Sequence, residues 1–152
     1  MCGYRTGVIW DPTRPNWQNN GERPIAWSAW YPTDDIGSVQ IPSGHFFELG
    51  DVIQNAALTS QKRLPVVLLS HGTGGTAESV SWLAWALACE GYVVTGANHH
   101  GNTGLEPYLA EGFLCWWERA PDLSMLLTSL GATGFFADQL ETSKNLAWSL
   151  IF

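Results

Sequence analysis

Leu64-Pro-Val-Val-Leu-Leu-Ser-His-Gly-Thr-Gly-Gly75 is an apolar, largely branched run that ends in a His-Gly turn and a glycine pair. A continuous apolar run of this length, bounded by turn residues, reads as a strand (Val66–Ser70) buried on both faces, as in a parallel sheet covered by helices. The glycines after it let the backbone turn sharply and approach a ligand closely with its N–H groups.

The segments on either side extend this reading. Ala77–Glu90 carries Val80, Leu83, Ala84, Leu87 and Ala88 at helical spacing, with Gly91 as the stop. Tyr92–Ala97 follows as a second buried strand. Strand, glycine turn, helix and strand in that order make a right-handed βαβ unit, and hence an α/β fold with parallel strands. Upstream, Tyr4–Trp10 and Ile25–Tyr31 read as strands. In the second, Ile25, Trp27, Ala29 and Tyr31 alternate with Ala26, Ser28 and Trp30, and Pro32 with Asp34-Asp35 ends it. Gly37–Lys62 has no clear period and reads as a loop with a short helix near Asp51–Leu58. Asn98–Phe113 reads as a loop, and Trp116–Leu130 as a helix with Leu123, Leu126, Leu127 and Leu130 on one face. No linker divides the chain, so residues 1–152 are expected to form one domain.

Composition narrows the function classes. A chain of 152 residues is long enough for a core of its own. The net charge of -7, with seven scattered basic residues, argues against a nucleic-acid partner. No run reaches the roughly 18 apolar residues of a membrane span, and Met1-Cys-Gly-Tyr-Arg-Thr6 lacks the apolar core of a signal peptide. A cytoplasmic location is the expectation. Cys2, Cys89 and Cys115 show no Cys-x-x-Cys spacing and read as reduced thiols, with no disulfide framework or zinc site. Nine tryptophans, without the spacing of a repeat, are expected to pack mostly in the core.

Five elements in order carry a family resemblance: Arg23-Pro24 with Trp30-Tyr31-Pro32; Ser70-His-Gly-Thr-Gly-Gly75; Ala88-x-x-Gly91-Tyr-Val-Val94; Asn98-His-His-Gly-Asn102; and Trp117-Glu-Arg119-x-x-Asp122. Together they resemble the bacterial predicted dienelactone hydrolases, which are similar to platelet-activating-factor acetylhydrolases. The likeness extends to about Asp138. It implies the N-terminal half of an α/β-hydrolase fold, with a mostly parallel sheet and flanking helices, and a serine hydrolase acting on small carboxylic esters or lactones.

The resemblance also implies roles for individual residues. Thr73 takes the position whose backbone N–H faces the developing oxyanion, a fixed donor for charge that appears only in the transition state. His71 and Gly72 shape the turn beside the substrate, and Gly74 and Gly75 let the chain enter the helix. His99 and His100, at the C-terminal end of a strand, would line the substrate mouth. Metal ligation by them with His71 or His45 is disfavoured, because neighbouring residues on an extended segment point to opposite faces. No cofactor is implied. One of the two histidines is expected to be packed and the other partly exposed. Arg119 and Asp122 are expected to pair across one turn at a helix start, and Trp116 and Trp117 to pack in the core or to line an acyl pocket.

The chain departs from the pattern after Ser143. Such hydrolases follow that point with a strand and a Gly-x-Ser-x-Gly elbow, whereas here the sequence reads Lys144-Asn-Leu-Ala-Trp-Ser-Leu-Ile-Phe152. Ser149, between Trp148 and Leu150, lacks the flanking glycines that the elbow needs. Nucleophile, acid and histidine are thus expected to be lacking, as in a frameshifted or truncated product, and Asn145–Phe152 is expected at most as a makeshift strand. Were that tail unpaired, Val66–Ser70 would be an exposed edge open to self-association. The competing reading is a non-catalytic half-hydrolase that binds a ligand or a partner chain. Catalysis by Cys89 or Cys115 has no activating neighbour in the sequence.

Overall fold

A computed structural model describes residues 1–37, 39, 46–60, 63–132, 135–137 and 139–147, the last six of these as backbone. The apolar run at the centre of the sequence forms β4 (Leu64–Ser70), and Val93–Asn98 forms β5 beside it in parallel register, Val66 opposite Val93 and Ser70 opposite Ala97. Upstream, β1 (Cys2–Pro15) and β2 (Glu22–Pro32) make a long antiparallel hairpin that joins the sheet through β2 and β5. Two further strands flank these, β3 (Val52–Gln54) against β1 and β6 (Leu140–Ala147) against β4, both parallel. The sheet order is β3-β1-β2-β5-β4-β6.

Helices cover both faces: α1 (Ser81–Cys89), entered through a 3-10 turn at Ala77–Val80; a short α2 (Ala110–Leu114); and α3 (Arg119–Ala132), entered through a 3-10 turn at Trp116–Glu118. Pro121 sits in the first turn of α3, where its missing N–H breaks no helical bond. The alternation read in β2 divides the core. Ile25, Trp27, Ala29 and Tyr31 pack with Leu126 and Leu130 of α3, while Trp30 packs with Tyr4, Val67, Leu69 and Ala84 of α1. The result is a helix–sheet–helix layering, and the expected mostly parallel sheet is a mixed one, with β1–β2 and β2–β5 antiparallel and the other pairings parallel.

Several expectations need correction. The helix near Asp51–Leu58 is absent: Val52 and Ile53, both branched and buried, pair as β3 with Cys2 and Gly3, and Asn55 turns the chain with φ of 56°. The loop at Asn98–Phe113 contains α2. The edge of β4 is covered, because β6 pairs with it at Leu64–Leu140 and at Leu68–Ala147. Of the tryptophans, Trp27 and Trp30 are buried, but Trp10, Trp82, Trp116 and Trp117 are exposed, so Trp116 and Trp117 do not pack in the core. His45, Trp148 and Ser149 lie outside the described residues. No described helix is long and apolar enough to cross a membrane.

The 3-10 turn that follows the glycines lies directly on β5. A Cβ at Gly96 would stand 2.7 Å from the Cβ of Ala77, closer than two carbons can approach. Gly96→Ala is therefore expected to destabilise the protein by about 1–3 kcal/mol through overpacking, read as a lowered Tm; an unchanged Tm would show that α1 shifts freely.

Candidate functional site

The glycine turn leaves β4 at the edge where β5 also ends, and the loop after β5 cradles it. Asn98 Oδ1 accepts the Ala77 N–H at 2.8 Å and Asn102 Oδ1 accepts the Gly74 N–H at 2.6 Å. Gly104 N–H donates to the Gly75 carbonyl at 3.1 Å, and the Tyr108 hydroxyl to the Gly74 carbonyl at 3.0 Å. Gly74 has φ of 70°, a conformation that costs glycine least. Within this tied turn the Thr73 N–H has no partner among the described residues. Thr73 lies with Gly72, Gly75, Ser79 and Trp82 on the wall of a cavity of about 460 Å³, and its side chain is exposed.

Beneath the turn lies a buried polar network. His71 is wholly buried: its Nε2 accepts the His99 backbone N–H at 3.1 Å, so Nδ1 carries the proton and donates to the Gly72 carbonyl at 2.6 Å. Burial pushes the His71 imidazole down to about 4, so it is neutral at pH 7. His99 Nδ1 donates to Asp122 Oδ2 at 3.0 Å, and its Nε2 accepts the Ser70 hydroxyl at 2.9 Å. Asp122 also receives two bonds from Arg23, 2.8 Å to Oδ1 and 3.1 Å to Oδ2, and has the Arg14 Nη2 charge 2.8 Å from Oδ1. Burial opposes its ionisation, but the bonds from His99 and Arg23 and the Arg23 charge outweigh this and hold the carboxyl at about 2.

Ser70, His99 and Asp122 thus have the connectivity of a Ser-His-Asp triad. Their surroundings do not suit one. Each is at most 2% exposed and none lines a described cavity, so an acyl carbon has no approach to the Ser70 oxygen. The arrangement ties elements together: Ser70 ends β4, His99 follows β5, Asp122 is on α3, and the two arginines come from β1 and β2.

The structure sorts the residues singled out in the sequence. Gly72 and Thr73 line the cavity just described, and Gly74 lines a second one. His71 and His99 are enclosed, and so is His100, against the expectation of a partly exposed side chain at the substrate mouth. His100 Nδ1 bonds Glu106 Oε1 at 2.7 Å, and Trp17 stacks on its ring and donates to its carbonyl at 2.7 Å, which accounts for the burial. The expected Arg119–Asp122 pair is absent. Arg119 Nη1 donates to the His71 carbonyl at 2.5 Å, because two arginines from the strands already hold Asp122. Sequence reasoning missed Arg14, Trp17, Ser70 and Asn98 as supports. Ser70 and Asn98 were visible only as motif positions and Arg14 and Trp17 carried no sequence signal, since their partners lie up to about a hundred residues away.

Residues 45–112 match the family described as platelet-activating factor acetylhydrolase, isoform II. Among solved structures, the ferulic acid esterase from Streptomyces cinnamoneus is similar with a TM-score of 0.78 and 21% identity, over 97% of this chain and 51% of that one. The chain therefore spans about half the length of that esterase. No curated protein matches. The fold is that of an α/β hydrolase, and its glycine-turn segment is similar to platelet-activating-factor acetylhydrolases.

Two outcomes are expected of the network. Asp122→Asn, which leaves buried arginines without their counter-charge, lowers stability by about 3–5 kcal/mol in chemical unfolding. Acid weakens the fold in two stages. The contribution of neutral His71 is complete above its ordinary 6.5 and is lost as pH falls toward about 4; that of Asp122 is complete above its ordinary 3.8 and is lost toward about 2. Melting curves of His71→Gln should show a shallower loss between pH 6.5 and 4, by up to ~3 kcal/mol; an unchanged slope would mean that His71 titrates normally in the folded chain.

Proposed function

We propose that this chain is the N-terminal half of a serine-type hydrolase of small carboxylic esters or lactones, and that Thr73 supplies one N–H of its oxyanion hole. The supporting observation is the bonding of the turn: the N–H groups of Gly74, Gly75 and Ala77 are engaged, those of Gly72, Thr73 and Thr76 have no partner among the described residues, and of these three Thr73 is the exposed one on the cavity wall. A donor held by its neighbours, yet free itself, costs little reorganisation when charge develops on a substrate oxygen. In such an enzyme a serine on a Gly-x-Ser-x-Gly elbow attacks the acyl carbon and a histidine carries its proton to the leaving alcohol. The 152 residues contain no such elbow, and Ser70 is enclosed, so these residues by themselves are assigned no turnover.

A second reading draws on the surface of α2 and the turn after it. Leu114, Trp116 and Trp117 are exposed side by side, the tryptophan rings 6.2 Å apart, and an apolar patch of this kind suits a partner chain. In that reading the chain is a binding module.

Translation of the gene beyond the codon of Asp138 in all three frames, followed by expression of any product with an elbow, separates the two. The hydrolase reading expects that product to cleave p-nitrophenyl butyrate, and Thr73→Pro, which removes the N–H, to lower kcat about 10²–10³-fold. Absence of an elbow in every frame would favour the binding module. Labelling of the 152-residue chain by a fluorophosphonate at Ser70 would overturn the structural role given to that serine.

A further inference from the structure

A second cavity, of about 620 Å³, shares Gly75 with the one at Thr73. Val8, Ala26, Phe47 and Leu105 give it mostly apolar walls, and Ser28 and Glu78 bring polar groups to it. Glu78 is only 6% exposed. Its Oε1 accepts two hydroxyls, Tyr4 at 3.0 Å and Ser28 at 2.5 Å, and its Oε2 is buried with no hydrogen-bond partner. Among the described residues no arginine or lysine pairs with it.

We propose that this cavity binds an apolar molecule carrying one hydrogen-bond donor, a hydroxyl or an ammonium group, which Glu78 Oε2 accepts. A buried acceptor without a partner is costly to keep, and a donor on the ligand removes that cost. Two hydroxyls from two different strands fix the orientation of the carboxyl group, so little ordering remains for binding. The volume lies within the range of small-molecule sites, and such sites combine apolar walls with a few placed polar groups. Gly75, common to both cavities, makes this the place for the remote, donor-bearing end of an ester. That assignment rests on the hydrolase reading, whereas the site itself does not.

Equilibrium dialysis of the whole chain against 2-naphthol, 2-naphthylmethylamine and 2-methoxynaphthalene tests the site. These share one aromatic body, and only the last lacks a donor. At least one of the first two is expected to bind about tenfold tighter than the methyl ether, or more, and the tighter of them identifies the donor. Glu78→Gln, with its amide oxygen kept on Tyr4 and Ser28, places an N–H₂ where Oε2 stood and abolishes or reverses the preference. Val8→Phe, at an exposed rim position, weakens all three. Equal affinities in the wild-type protein, no binding at all, or a preference retained in Glu78→Gln would overturn the site; the wild-type comparison decides even if that variant does not fold. Binding is read without turnover. A preference without esterase activity leaves the site standing and removes its link to an ester, and activity without preference does the reverse.

Discussion

The Asp122 carboxylate is the constraint around which this fold is arranged. It is wholly buried and receives donors from β2 and from the segment after β5, with an arginine of β1 beside it. A buried carboxylate is tolerable only when charge and hydrogen bonds surround it, and here each of those partners comes from a different element. The hairpin, the end of β5 and α3 must therefore all be in place together. Glu118 extends the cluster by holding Arg14 at 2.9 Å, and Asp11 holds the same arginine at 2.6 Å. A network so connected behaves as one unit, and loss of one member strands the others.

The glycine turn rests on that unit. His99 hands its backbone N–H to His71, whose own carbonyl takes Arg119 of α3. Two neutral imidazoles thus pass positional information from the charged cluster to the turn without adding charge beneath it. Above them, Asn98 and Asn102 use side-chain carbonyls to accept backbone N–H groups that a tight turn cannot satisfy internally. Among the described residues the N–H groups of Gly72 and Thr73, both on the wall of one cavity, keep no protein partner. The position of that segment is set by packing and hydrogen bonds several residues away.

Two buried carboxylates mark the difference between support and recognition. Asp122 is neutralised by arginines and fully engaged. Glu78 meets only hydroxyls and keeps one oxygen unengaged beside a cavity. The first belongs to the frame. The second has the incomplete bonding of a group that serves a ligand.

The sequence by itself determined the βαβ unit, the division of β2 into two faces, and the glycine turn, because period and turn chemistry are local properties. It also contained Arg23, His99 and Asp122 as motif positions, without their connection. Tertiary structure alone decided which partner each takes. Arg119 and Asp122 are neighbours on one helix turn, yet Arg14 and Arg23 of the hairpin face the carboxylate, while Arg119 turns to the His71 carbonyl. Val52–Gln54 became a strand because an edge of β1 was there to pair with it, and three residues have no period to announce that. The enclosure of His100 under Trp17, and the unengaged oxygen of Glu78, likewise follow from contacts that cross tens of residues of chain, beyond the reach of any local pattern.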